Sequence, residues 1–193
     1  MLKQIQVRRV LPEESGRYRE LMQAHHDLGA LPKIGETLWY VATWGQEWVA
    51  LLSFSAAALK ISARERWIGW SARQQYARLH LLANNSRYCV LPDWHRPNVA
   101  SRILALCERR LSADWLETFG HPIVLLETFV DPRRHRGTLY RAANWIEVGA
   151  TRAAIAPRAT RPRPSCCARF ARRPAPYCRQ PICRPRMPKE CRS

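Results

Sequence analysis

Residues 123–130 read IVLLETFV, the most hydrophobic run of the chain, and this run decides the fold. Pro122 and Pro132 bound it, so it has the length of a strand rather than of a helix. A continuous apolar run of this length is typical of a strand that is buried on both faces of a sheet. We therefore predict that residues 123–130 form a central strand between layers of helices.

The run at residues 123–130 is the second strand of a strand–helix–strand pattern. Residues 87–91 have strand character and are closed by Pro92, and Asn98 can cap a helix over residues 98–111. A short helix over residues 137–144 and a last strand from residue 146 follow. Because a helix that joins two parallel strands makes a right-handed crossover, the pattern predicts a mixed sheet covered by helices.

The N-terminal half adds antiparallel strands to this sheet. Residues 4–10 alternate as a strand does, and a helix that begins at Pro12 follows. Residues 38–44 and 48–54 flank a short turn that contains glycine, which indicates a hairpin. Residues 66–70 have the pattern of a short strand, and residues 71–82 that of a helix. The sequence thus predicts a single α/β domain over residues 1–152.

The composition changes abruptly after Arg152. Residues 153–193 hold five of the seven cysteines, eight of the fourteen prolines and eleven of the 32 Lys and Arg, against the single acid Glu190. This stretch has too few large apolar residues for a core, so we predict a disordered basic tail. An arginine-rich arm is one interpretation. We favour a frameshift, because a GC-rich gene read out of frame gives this composition.

The charge of the domain is compatible with nucleic acid without requiring it. Residues 1–152 hold 21 Lys and Arg against 14 Asp and Glu, a net charge of +7. Lysines and arginines that neutralise phosphates release counterions and so favour binding. No secretory signal or membrane-spanning run is visible, and Cys89 and Cys107 lie in apolar stretches. We expect a cytoplasmic protein that does not enter the membrane.

Two carboxylates lie near the end of the central strand. Glu127 stands inside the apolar run, where an unpaired charge is costly to bury, so it is either functional or exposed at the strand end. Asp131 follows the strand and could share Mg²⁺ with Glu127, as nucleases require, but such sites need a third acid. Asp93 and Asp114 are the candidates for it. The alternative without a functional role is that Asp131 only begins a turn. We therefore assign no metal site.

A basic loop follows the same strand. Arg133, Arg134 and Arg136 lie where anionic ligands often bind in α/β sheets, beyond the carboxyl end of a strand. A solvated turn would have the same composition. Among candidate nucleic-acid contacts this cluster stands first.

Several phrases together resemble one family. They are LMQAHHDLGALPKIGETLWYVATW (21–44), WVALLSFSAAALK (48–60), RWIGW (66–70), LANNSRYCVLPDWHRPNVASRILALCERRLSADW (82–115) and LLETFVDPRRHRGTLYRAANWIEVGATR (125–152). They look like the family of DruA, a component of the Druantia anti-phage system, some relatives of which sit beside or within transposase genes. The resemblance implies a defence or mobile-element setting, with nucleic acid and other proteins of that system as partners.

The element order also resembles the GNAT acyltransferase fold. In that comparison the helix from Asn98 holds the coenzyme A pyrophosphate through a Gln/Arg-x-x-Gly-x-Gly/Ala loop. The corresponding positions run from Arg96 to Ser101. Arg96 matches, Val99 and Ser101 replace the two small residues, and Pro97 has no amide to donate. The resemblance implies acetyl-coenzyme A as a cofactor, bound by Arg96, Asn98, Val99, Ala100 and Ser101.

Tyr140 corresponds to a tyrosine that protonates the leaving thiolate in many GNAT enzymes. Packing of its ring against the sheet is the structural alternative. Tyr140 and Glu127 are thus the candidate catalytic residues. Because the pyrophosphate loop departs from the pattern, we rank a nucleic-acid-directed role above N-acyl transfer.

Overall fold

One mixed sheet organises the chain, and its strands lie in the order β1-β2-β3-β4-β5-β7-β6. The computed structural model describes residues 2–152 and 166–172, with side chains over residues 2–150. The strands are β1 (Ile5–Arg9), β2 (Thr37–Trp44), β3 (Glu47–Ala56), β4 (Leu82–Val90), β5 (Leu125–Val130), β6 (Ile146–Arg152) and β7 (Cys166–Arg172). The helices are α1 (Ser15–His25), α2 (Ser62–Ile68), α3 (Ala72–Arg78), α4 (Val99–Phe119) and α5 (Thr138–Ala142).

The predicted central strand is confirmed as an interior strand. Strand β5 lies between β4, which it pairs in parallel, and β7, which it pairs antiparallel. Helix α4 makes the crossover from β4 to β5, and its apolar face is buried through Val99, Ile103, Leu104 and Leu111. Burying such side chains contributes about 1.5–3 kcal/mol each relative to exposure. Packing of the crossover helix therefore stabilises the position of β5 beside β4 in the sheet.

The predicted hairpin is also confirmed. Strands β2 and β3 pair antiparallel from Thr37 opposite Ser55 to Trp44 opposite Glu47. Both strands are buried over most of their length, because the sheet continues on both sides and helices cover its faces. Tyr18 of α1 donates its hydroxyl proton to the carbonyl oxygen of Leu52 at 2.9 Å, which fixes that helix on the hairpin.

Two local predictions in the middle of the chain are wrong. Residues 66–70, expected to be a strand, fall largely in α2, which Gly69 ends with a φ of 77°. Strand β4 begins at Leu82 rather than at residue 87, although Asn84, Asn85 and Ser86 make its first half polar. Propensity is overridden here, and two of the three polar side chains find partners on β3: Asn85 Nδ2 donates to the Ser53 carbonyl at 3.1 Å, and Ser86 Oγ lies 3.1 Å from Ser53 Oγ. The buried Asn84 Oδ1 has no hydrogen-bond partner among the described residues.

The expectation that nothing after Arg152 belongs to the fold also needs correction. Seven residues of the basic segment, Cys166–Arg172, form β7, which lies between β5 and β6. The physical reason is that β5 would otherwise present a row of unpaired backbone groups along this edge. The predicted disorder of the other residues after Arg152 lies outside the described residues.

Within the part of the chain that the structure describes, none of the helices combines the length and the apolar character that crossing a bilayer requires.

Candidate functional site at the open end of the sheet

Strands β4 and β5 diverge about halfway along their length. They pair only from Leu82 opposite Leu125 to Asn84 opposite Glu127, although β4 continues to Val90 and β5 to Val130. The pairing of β3 with β4 shifts register between Ser53 and Phe54, next to the point of divergence. Such an irregularity bends a strand and increases its twist. The two strands therefore open a wedge towards their carboxyl ends.

Three polar side chains meet at the start of this wedge. The Tyr140 hydroxyl donates to Asn85 Oδ1 at 2.8 Å, and Thr128 Oγ1 lies 3.3 Å from the same hydroxyl. Thr128 Oγ1 also donates to the Asn85 carbonyl oxygen at 3.0 Å. All three side chains are buried. The network thus replaces the backbone pairs that the parting strands lose, and it joins β4 to β5.

The environment of Tyr140 bears on its predicted role as a general acid. Burial raises the pKa of its hydroxyl to about 12, against the smaller lowering effect of the Thr128 bond. The group therefore keeps its proton at neutral pH, but that proton is already donated to Asn85. A transfer to a leaving thiolate would first have to break this buried bond. The catalytic role of Tyr140 stays a prediction.

Trp145 closes the wedge from the side of α4 and α5. Its ring lies 5.1 Å from that of Tyr140, and its indole N–H donates to Glu108 Oε1 at 2.7 Å. Trp145 and Glu108 are both buried. Side chains of the chain itself, rather than open solvent, therefore surround the inner end of the wedge in the described residues.

Glu127 is buried, so the alternative that it is exposed at the strand end is wrong. Its Oε1 accepts a hydrogen bond from Arg64 Nη1 of α2 at 3.0 Å, and only 2% of the Arg64 side chain is exposed. Arg64 Nη2 also donates to the carbonyl oxygens of Ala58 and Leu59, at 2.8 and 3.2 Å. Pairing and hydrogen bonding make the burial of both charges tolerable. This position assigns Glu127 a structural contact, and its catalytic role stays a prediction.

The start of α4 has part of what a pyrophosphate needs. Asn98 adopts a φ of 65° and makes no side-chain cap, and Arg96 is exposed beside it. The Val99 side chain is fully buried, and its own N–H donates to the Arg96 carbonyl at 3.3 Å. The amides of Ala100 and Ser101 have no carbonyl partner among the described residues. They could receive an anion.

The fit to coenzyme A is therefore incomplete. Ala100, Ser101 and Arg96 suit its pyrophosphate end, whereas Pro97 removes one amide from the loop. Tyr140, the residue that the GNAT resemblance would assign to chemistry at the thiol, is engaged with Asn85. The residues present are therefore better suited to bind the nucleotide part of coenzyme A than to catalyse a reaction at its thiol.

The basic loop is exposed and lies at the carboxyl end of β5, as both the nucleic-acid interpretation and a solvated turn would have it. Arg133 makes a bidentate contact with Asp131, with Nε–Oδ1 and Nη2–Oδ2 distances of 3.1 and 2.8 Å. This contact lowers the pKa of the Asp131 carboxyl to about 2. Arg134 Nη1 lies 3.7 Å from Asp27 Oδ2. Arg136 is exposed, and no acidic partner for it occurs within residues 2–150.

The loop between α1 and β2 borders the basic loop. Asp27 Oδ2 contacts His135 Nε2 at 3.0 Å. His26 accepts a hydrogen bond at Nδ1 from the Leu28 amide at 3.1 Å, and burial, helped by the nearby charge of Arg87, lowers its pKa to about 4. His26 is therefore neutral at pH 7.

The structure does not bring the candidate metal ligands together. Glu127 binds Arg64 and Asp131 binds Arg133, while Asp114 is held by Arg110 with an Nε–Oδ2 distance of 2.7 Å. Across the described residues, no group of three or more His, Cys, Asp or Glu side chains could hold a metal ion. We derive no metal chemistry from these acids.

Sequence reasoning missed Asn85, Arg64 and Asp27. Asn85 stands in a polar run that interrupts β4, and a polar residue in a buried strand is a signal that could have been used. Arg64 and Asp27 gave no such signal, because their partners lie 63 and, for His135, 108 positions away.

Strand order, the wedge between β4 and β5 and a helix that begins at the mouth of the wedge define a domain of the GNAT acetyltransferase fold. Among solved structures, the chain is similar to Arabidopsis thaliana NAA60 in complex with acetyl-CoA, with a TM-score of 0.59 and 11% identity, covering 88% of this chain and 98% of that one. It is also similar to the ribosomal-protein-S18-alanine N-acetyltransferase from Escherichia coli, with a TM-score of 0.55 and 12% identity, covering 88% and 93%. At such identities the likeness shows the fold alone.

The family is more specific than the fold. A family model described as Druantia protein DruA matches residues 2–154, and the chain belongs to this family. A search of curated proteins found no match to the chain. The family match ends where the composition changes, two residues beyond Arg152.

Proposed function

We propose that this protein is a DruA-type component of a prokaryotic anti-phage defence or transposase-associated system and that it acts on or near nucleic acid. Family membership supports the setting. One observation supports the ligand: the basic loop presents three exposed arginines beyond the carboxyl end of β5, beside the mouth of the wedge. In this proposal the protein works in the cytoplasm with other proteins of the same system.

Phosphates can compete for the arginines of this loop. The Arg134–Asp27 pair is exposed and has a separation of 3.7 Å, and such pairs contribute only about 0–1 kcal/mol. Arg136 has no acidic partner to exchange within the described residues. Arg133 is held by a bidentate contact with the half-buried Asp131, so a phosphate must replace that contact with a guanidinium–phosphate bond, which is also strong and bidentate.

The first test is the affinity of the full chain for duplex DNA. We expect the variant R133A/R134A/R136A to bind several unrelated duplexes roughly tenfold more weakly than the parent, and about equally for each, because phosphate contacts carry no sequence information. Fluorescence anisotropy at low salt measures this. The full chain is required, because truncation after Arg152 would remove β7.

The matched control removes the same charge elsewhere. Lys3, Arg19 and Arg109 are exposed and lie on other elements, so K3A/R19A/R109A has the same net charge as the loop variant. It should keep most of the affinity. Equal losses in the two variants would mean that net charge alone, and not the loop, holds DNA.

A second candidate function is binding of acyl-coenzyme A, with N-acyl transfer as its activity. It is favoured by the unengaged amides of Ala100 and Ser101 at the start of α4, next to Arg96. Calorimetry with acetyl-coenzyme A tests it. We expect no micromolar binding. Micromolar binding that Arg96→Ala abolishes would place acyl transfer above the nucleic-acid role.

We also propose that the residues after Arg152 arise from out-of-frame translation. The support is compositional: all eight tryptophans precede Ala153, and prolines, arginines and cysteines dominate after it. Some of these residues form β7. This is compatible with out-of-frame translation, because backbone pairing tolerates many sequences.

A further inference from the structure

The segment between β3 and β4, residues 57–81, is a helical insertion with two unlike sides. Ala56 and Ala83 are paired, so the chain leaves the sheet and returns to it at adjacent positions. A short turn could join two such antiparallel strands. Instead the segment builds α2 and α3. It is therefore an addition that the sheet itself does not require.

The inner side of the helical insertion is firmly attached to the sheet. Arg64 forms the buried pair with Glu127 of β5, and α2 packs against β6. Trp67 and Ile68 join a small apolar cluster with Leu82 and Leu125. The insertion is thus anchored to the sheet by its inner side, so its backbone presents the other side to solvent in a defined orientation.

The outer side carries positive charge that nothing in the described structure neutralises. Lys60, Arg66 and Arg73 are exposed and Arg78 is half-buried, and none of the four has an acidic partner among the described residues. Glu65, the sole acid of the segment, is engaged: its Oε1 accepts from the Ile61 amide and from Gln75 Nε2, both at 2.7 Å. Four cations on a surface without a free carboxylate suit a polyanion.

An exposed aromatic ring lies next to one of these cations. Tyr76 is 67% exposed, the most exposed aromatic side chain in the described part of the chain. It follows Arg73 by three positions on α3, so the two side chains are neighbours on one face of the helix. An exposed ring next to a guanidinium can stack on a base while the guanidinium holds a phosphate. Bases in a duplex are not available for such stacking.

We propose that the outer side of the helical insertion binds single-stranded nucleic acid, with Tyr76 stacking on a base and Lys60, Arg66 and Arg73 contacting phosphates. The inference deepens the proposed function, on whose nucleic-acid role it rests, by adding a strand-specific surface separate from the basic loop. A lipid surface fits less well, because helices of seven residues offer little apolar area for insertion.

The test compares oligothymidine with duplex DNA in anisotropy titrations of the full chain. Tyr76→Ala should weaken oligothymidine binding roughly tenfold or more, since stacking on one base contributes on that order, while Tyr76→Phe keeps the affinity. K60A/R66A/R73A should flatten the salt slope for oligothymidine by about 0.7 for each phosphate that the variant no longer neutralises. All four side chains are exposed, so thermal unfolding should be unchanged and will confirm intact folding.

The outcomes separate this surface from the basic loop. Suppose that Tyr76→Ala weakens oligothymidine binding while R133A/R134A/R136A leaves duplex binding intact. The single-strand-binding role of the insertion is then supported, and the duplex-binding role of the basic loop is contradicted. If both insertion variants bind oligothymidine as the parent does, the inference is overturned. It is also overturned if K60A/R66A/R73A loses only binding to phosphatidylserine vesicles, because the insertion would then face a membrane.

Discussion

Replacing Glu127 by alanine is expected to lower the free energy of unfolding by about 3 kcal/mol, the lower end of the range for breaking a buried pair, because a buried charge loses its buried partner. The charge left behind is Arg64, of which 2% is exposed, and its remaining acidic contact is the longer one between Nη2 and Glu65 Oε1 at 3.6 Å. Urea denaturation followed by circular dichroism measures the change. The loss of stability should appear as a lower midpoint with an unchanged slope.

Two comparisons make this prediction specific. Glu147 pairs with Arg141 at 2.8 Å, but both side chains are about half exposed, so Glu147→Ala should cost about 0–1 kcal/mol. The double variant R64M/E127L removes both buried charges and should recover much of the stability, since apolar replacements of buried pairs are often neutral. A change below about 1 kcal/mol in Glu127→Ala would show that this pair is not buried in solution.

Replacing Trp145 by alanine is expected to cost about 3–5 kcal/mol, the usual range when a large aromatic side chain is removed from a core. Trp145 is 4% exposed, packs on Tyr140 and satisfies the buried Glu108. The variant would lose packing area and leave a carboxylate with one hydrogen bond fewer. Both effects destabilise the inner end of the wedge.

Trp44 provides the control for this second prediction. It is 38% exposed near the edge of the sheet, and its indole donates to Gln4 at 3.0 Å. Trp44→Ala should therefore cost clearly less than Trp145→Ala in the same denaturation experiment. If the two variants were equally destabilised, or if Trp145→Ala were neutral, the inner end of the wedge would be open rather than filled by the chain.

Much of the fold could be predicted from local patterns. The run at residues 123–130 identified an interior strand because its apolar character is continuous, and the hairpin of β2 and β3 followed from two apolar runs around a glycine. The start of α4 at Val99 followed from Asn98, although that residue caps through its backbone conformation and not through its side chain. Each of these signals lies within a few residues of the feature that it predicts.

The features of the fold and of the candidate site that the sequence did not predict depend on contacts between residues that are distant in the chain. Nothing near Glu127 indicates that Arg64 will neutralise it, and nothing near Asn85 indicates that Tyr140 will reach it. Strand β7 lacks the apolar alternation that marks most strands, since its place is determined by the open edge of β5. The candidate site was therefore predicted residue by residue, whereas its connections required the structure.

The GNAT fold and the proposed function are compatible because the two ends of the wedge differ. Its inner end is occupied by the network of Tyr140, Asn85 and Thr128, and its mouth is bordered by the basic loop. A fold that places a helix N-terminus and cationic loops at one end of a sheet is suited to phosphates in general. The same frame can serve a nucleotide cofactor or a nucleic-acid backbone.

The salt dependence of duplex binding tests the nucleic-acid role of the loop most directly. The cations after Arg152 are present in both proteins, so their contribution cancels when the slope of log K against log salt is compared between the parent and R133A/R134A/R136A. Counterion release predicts that the variant slope is shallower by about 0.9 for each phosphate that the loop no longer neutralises, or roughly 2–3 in all. Identical slopes, or no duplex affinity in the parent at low salt, would contradict a phosphate-binding role for Arg133, Arg134 and Arg136.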